Sequence, residues 1–101
     1  MIESFVEGRV RLRSPLFAEN DISEALVACL AKVAGICRVD VNSRTCGVLL
    51  EYDPSRISKA LILEAAPLFE RMGRLENLSR QERRAGAELL LGELKSLLSR
   101  F

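Results

Sequence analysis

The sequence predicts an α+β domain whose elements run strand, helix, strand, strand, helix, followed by one more amphipathic helix. Three observations carry that expectation. Segments with apolar residues at every second position alternate with segments whose apolar residues recur every three or four. The breaks between them fall at glycine, proline and short polar runs. A length of 101 residues, 49% of them hydrophobic, suits one core and not two.

The first strand is read over Val6-Glu7-Gly8-Arg9-Val10-Arg11-Leu12-Arg13, where Val10 and Leu12 turn inward and Arg9, Arg11 and Arg13 outward. Ser14-Pro15 ends it, because proline has no N–H to give to a sheet ladder. Asn20 or Asp21 can cap the helix that follows, whose apolar positions are Ile22, Ala25, Leu26, Cys29, Leu30 and Val33. Gly35 closes that helix, and alternation resumes in Ile36-Cys37-Arg38-Val39-Asp40-Val41. The polar run Asn42 to Gly47 makes a hairpin loop into Val48-Leu49-Leu50-Glu51-Tyr52. Asp53-Pro54-Ser55 leads to a helix over about Arg56 to Met72, in which Pro67 is a point of kinking or division.

That order is a ferredoxin-like β-α-β-β-α sandwich with its fourth strand absent or short. Where that strand belongs, Gly73-Arg74-Leu75-Glu76-Asn77-Leu78 is polar, and its absence leaves the first strand at a sheet edge. Ser79-Arg80-Gln81-Glu82 has the pattern of a capping box and opens the last helix, Gln81 to Phe101. The domain is thus read over residues 1–78 and the terminal helix over 79–101. Leu91, Leu94, Leu98 and Phe101 form a stripe that needs cover, from the parent domain or from a second chain.

Gly8-Arg9-Val10-Arg11-Leu12-Arg13, Gly35-Ile36-Cys37-Arg38-Val39-Asp40-Val41-Asn42 and Gly47-Val48-Leu49-Leu50-Glu51-Tyr52-Asp53-Pro54 together resemble heavy-metal-associated domains, in particular bacterial variants found alone or ahead of metal-transporting P-type ATPases. In the metal-carrying members, the resemblance implies, the loop after the first strand holds a C-x-x-C pair that clasps copper(I) or zinc(II). The equivalent loop here, Ser14-Pro15-Leu16-Phe17-Ala18-Glu19-Asn20, has no thiol and one carboxylate. The resemblance therefore implies the fold and a setting in metal homeostasis, without the residues that would deliver metal.

Other constellations are sparse. The chain has no histidine, which removes the commonest general base and nitrogen ligand, and no catalytic group stands out. Cys29, Cys37 and Cys46 are candidate metal ligands only if folding gathers a helix, a strand and a hairpin tip; Cys29 reads most simply as a small buried hydrophobe. Arg9, Arg11 and Arg13 could meet an anion or a partner, against the simpler reading of a solvated face paired with Arg38, Asp40 and Glu51. Nucleic acid is not expected, since the net charge is +1 and no aromatic row accompanies the arginines.

The sequence thus points to a non-enzymatic interaction or accessory module linked to metal transport or storage. Its expected partner is a second copy of itself or a metal-transporting membrane protein. The alternative is a binding protein for a metal or a metal cofactor such as haem, held through cysteine, tyrosine or arginine. No membrane-spanning stretch and no secretory signal is legible, so the expected location is the cytoplasm.

Overall fold

The structure, a computed structural model, describes residues 1–99 and begins with a strand that the sequence reading missed. Strand β1 is Ile2–Val6 and β2 is Arg9–Arg13, joined by the two-residue turn Glu7-Gly8. Gly8 takes φ +88°, a conformation that side chains with a Cβ rarely adopt. The stretch from Val6 to Arg13 is therefore two strands and not one. A register shift between Ile2 and Ser4 hides β1 from a period-two search: Ile2 pairs with Leu12 and Phe5 with Val10, so the core-facing pair is three residues apart.

Helix α1 (Asn20–Ala31) leads to β3 (Ile36–Asn42), β4 (Gly47–Tyr52) and α2 (Lys59–Gly73). The strands form one antiparallel sheet in the order β1-β2-β4-β3. The ferredoxin-like expectation holds, including the lack of a strand after α2, where a 3-10 turn over Arg74–Asn77 stands instead. The expectation that the arginine strand lies at a sheet edge is overturned. The N-terminal β1 takes the place beside it, so β2 is paired on both sides.

One face of the sheet carries the core. Val10, Leu12, Val48, Leu50 and Tyr52 meet Ile22, Leu26 and Leu30 of α1 and Leu61, Ala65, Phe69 and Met72 of α2. Each such leucine contributes about 2 kcal/mol by leaving water. Gly35, at φ +96°, sits where an added Cβ would lie 2.9 Å from Ile57 Cγ1, so the turn into β3 is pressed against the segment that leads into α2. A bulge between Ile36 and Arg38 lets Ile36 and Val39 both face inward across three residues.

The helix ends differ in part from expectation. Glu19, not Asn20 or Asp21, occupies the N-cap of α1, and it makes no side-chain cap bond because its carboxylate is engaged elsewhere. Ser58 caps α2 by accepting from the Leu61 N–H at 3.1 Å. Pro67 neither divides α2 nor stands in its buried face: the bond it cannot make belongs to the carbonyl of solvent-exposed Leu63. The expected capping box at Ser79 and Glu82 forms in half: the Ser79 hydroxyl accepts from the Glu82 N–H at 3.3 Å and starts α3 (Arg80–Leu98), while Glu82 Oε1 accepts from the Ser79 hydroxyl at 2.8 Å and not from its backbone N–H.

Helix α3 packs against both α1 and α2, which touch one another little. It supplies Ala87, Leu90, Leu91, Leu94, Leu97 and Leu98 to the same core. Of the two covers left open for the stripe, the chain's own domain is the one in place. Leu94 is 1% exposed, and Leu91 and Leu98 are buried with it; Phe101 lies outside the described residues.

Candidate functional site

The loop after β2 is the first place to look, because it joins a central strand to α1 at one end of the sheet. It is not an open loop. Pro15–Ala18 forms a 3-10 turn whose N-cap, Ser14, accepts from the Leu16 N–H at 3.2 Å. Leu16 is 1% exposed and Phe17 is fully buried, so the turn is anchored in the core by two large apolar side chains. The Ser14 backbone N–H donates to the carbonyl of Cys46 at 3.0 Å, tying the loop to the tip of the β3–β4 hairpin.

The two ends of the loop are closed from above by residues distant in sequence. The Ser14 hydroxyl donates to Glu76 Oε1 at 2.6 Å, from the 3-10 turn after α2. Arg83 of α3 donates through Nε to Glu19 Oε1 at 2.8 Å, and its Nη2 engages the same oxygen. Arg83 also reaches the carbonyl of Leu78 at 2.7 Å, so one guanidinium holds both the end of the loop and the start of α3. Glu19 Oε2 is buried without a partner among the described residues. The next residue, Arg84, pairs with Asp21 at 2.9 Å.

These donors do not fit a soft metal ion. The loop offers a hydroxyl already used twice and a carboxylate held by Arg83, with no thiolate. The cysteines do not compensate for this. Cys29 on α1 faces α3, its thiol 3.6 Å from the carbonyl of Leu91; Cys37 is exposed beside the bulge of β3; Cys46 follows the far end of that strand. The length of β3 separates the last two by roughly 15–20 Å. Among the described residues, no cluster of three or more Cys, Asp or Glu side chains is gathered as a metal site.

Burial pushes the Cys29 thiol up from its ordinary value, partly offset by the charge of Lys95. A raised pKa means less thiolate at a given pH and slower alkylation. In a limiting iodoacetamide reaction at mildly alkaline pH, followed by peptide mass spectrometry, Cys37 should label well before Cys29. Equal rates would contradict the packing of Cys29 against α3.

The arginines lie on the other face of the sheet, which no helix covers. Arg9 pairs with Glu51 at 3.6 Å, and Glu51 also meets Arg38 at 3.8 Å, while Arg38 pairs with Asp40. Arg13 pairs with Glu3 at 3.4 Å. Arg11 has no ion pair among the described residues, and neither has Arg44 of the hairpin loop, which the sequence reading passed over. Glu76 and Arg83 were missed as well. Their partners are 62 and 64 residues away, and nothing in local periodicity signals a contact of that range.

A four-stranded sheet covered on one face by helices, with a short structured loop between a central strand and α1, defines a small α+β domain of the ferredoxin-like type in which that loop is part of the core. The chain belongs to the heavy metal associated domain 2 family, whose model matches residues 1–100 and thus includes α3. It matches no curated protein and no solved structure. Among the described residues, no helix is long and apolar enough to cross a membrane.

Proposed function

We propose that this chain is a non-enzymatic accessory module of the heavy-metal-associated class, acting in metal transport or storage by contact with another protein and not by carrying the metal itself. The observation that supports it is the loop Ser14 to Glu19, with Leu16 and Phe17 in the core and both ends pinned by Glu76 and Arg83. A carrier loop must expose its ligands to pass an ion on, and this one exposes none. The partner in this reading is a second copy of the chain or a metal-transporting membrane protein. The haem alternative gains no support from the residues: there is no histidine, and the Tyr52 hydroxyl is buried in the core.

The test is a titration with copper(I) and with zinc(II) against a competing chelator. The expected outcome is no stoichiometric retention of either ion by the monomer. Retention that disappears in Cys29→Ser, Cys37→Ser or Cys46→Ser would overturn the reading and show a site assembled from dispersed thiols.

A further inference from the structure

On the uncovered face of the sheet, at the hairpin end, lies a trough of about 560 Å³. Its shape follows from strand register. Gly47 on β4 pairs with Arg13 on one side and Asn42 on the other, and Leu49 pairs with Arg11 and Asp40. The central strand thus presents no side chain and then a leucine, bordered by the long arginines of β2 on one side and by Asp40 and Asn42 of β3 on the other. The loop residues Ser43, Arg44 and Thr45 close one end.

The loop is preset. Asn42 Oδ1 accepts from the N–H groups of Arg44 at 3.0 Å and Thr45 at 3.4 Å, and Cys46 adopts φ 58°, which fixes the reversal into Gly47. An added Cβ at Gly47 would come within 3.2 Å of Thr45 Oγ1, so a side chain there would crowd the floor.

We propose that this trough binds a small phosphate-monoester-type oxyanion through Arg11, Arg13 and Arg44. Three arginines line it against two acidic residues, Glu3 and Asp40. Asp40 is already neutralised by Arg38, which stands outside the trough. Arg11 and Arg44 have no carboxylate of their own among the described residues. Arg13 is tied to Glu3 only by an exposed pair at 3.4 Å, a contact of low energy that an incoming dianion displaces. Guanidinium forks match tetrahedral oxyanions in charge and geometry. The Ser43 hydroxyl and the side-chain amide nitrogen of Asn42 add hydrogen-bonding groups for the hydroxyls of the ligand. This inference goes beyond the accessory reading and does not depend on it.

The experiment is an amide NMR titration of the full chain with glycerol 3-phosphate at constant ionic strength, beside cosedimentation with phosphatidylcholine vesicles with and without phosphatidic acid. Saturable shifts confined to residues 11–13 and 40–49 are expected. Arg11→Gln and Arg44→Gln should each weaken binding by about tenfold or more, as loss of a charge-assisted bond requires, with their remaining spectra unchanged. Arg9→Gln, at the other end of β2 and outside the trough, should bind as the parent does. A response to phosphatidic acid vesicles alone, lost in the same two variants, keeps the phosphate site and assigns it to a lipid headgroup. Shifts that do not saturate, or that Arg9→Gln reduces as much as Arg11→Gln, would overturn the proposal as general charge attraction.

Discussion

Replacing Leu94 with glutamate is expected to unfold this protein, and replacing it with alanine to cost about 3 kcal/mol in a urea melt. Leu94 is 1% exposed on α3, the helix that packs against both α1 and α2. Truncation leaves a cavity in the buried core that α3 shares with the rest of the domain. A carboxylate there has no partner, and burying it costs several kcal/mol beyond the lost apolar contact. A domain of this size has a total stability of about 5–15 kcal/mol, so the glutamate variant consumes most or all of it. Leu89→Glu is the control, since Leu89 is 65% exposed on the opposite side of the same helix; its effect should stay below about 0.5 kcal/mol. If Leu94→Glu instead yields a folded monomer from a parent that sediments as a dimer, then α3 meets a second chain in solution.

The second large effect belongs to Arg83. Arg83→Ala should destabilise by about 2–3 kcal/mol, because it strands Glu19 beneath α3 and releases the Leu78 carbonyl. The lower end of the range for buried pairs applies, as the two side chains retain 23% and 18% exposure. A double-mutant cycle separates charge from packing. If Arg83 acts through Glu19, the pair Glu19→Leu, Arg83→Leu should be more stable than Arg83→Leu alone, and the effects of Glu19→Leu and Arg83→Leu should not add. Equal losses in the presence and absence of Glu19 would show that the ion pair does not hold the loop closed.

Much of the fold is legible because inward positions on β2 and β4 keep strict period two, and those on α1 and α3 keep helical spacing. Val10, Leu12, Val48, Leu50, Ile22, Leu26 and Leu94 are all core residues in the structure. Strand β1 was not legible, since its register shift puts Ile2 and Phe5 at a spacing that belongs to neither template. Without β1 the arginine strand reads as an edge, whereas pairing on both sides makes it a central wall of a trough. Pro67 suggested a break because proline costs a helix bond; its exposed position leaves the freed carbonyl to water.

The sequence by itself determined the ferredoxin-like order of elements, the Ser79 N-cap of the last helix and the lack of thiols in the loop after the arginine strand. These depend on residue type and spacing within a few positions. Only the tertiary structure decided that the loop is closed, that α3 covers its own domain, and that Arg44 joins Arg11 and Arg13. Each rests on contacts between residues far apart in the chain, Ser14 with Glu76 and Glu19 with Arg83 among them. Such contacts form because hydrophobic burial positions whole elements first. The polar partners that meet are then set by where the packed helices and strands end.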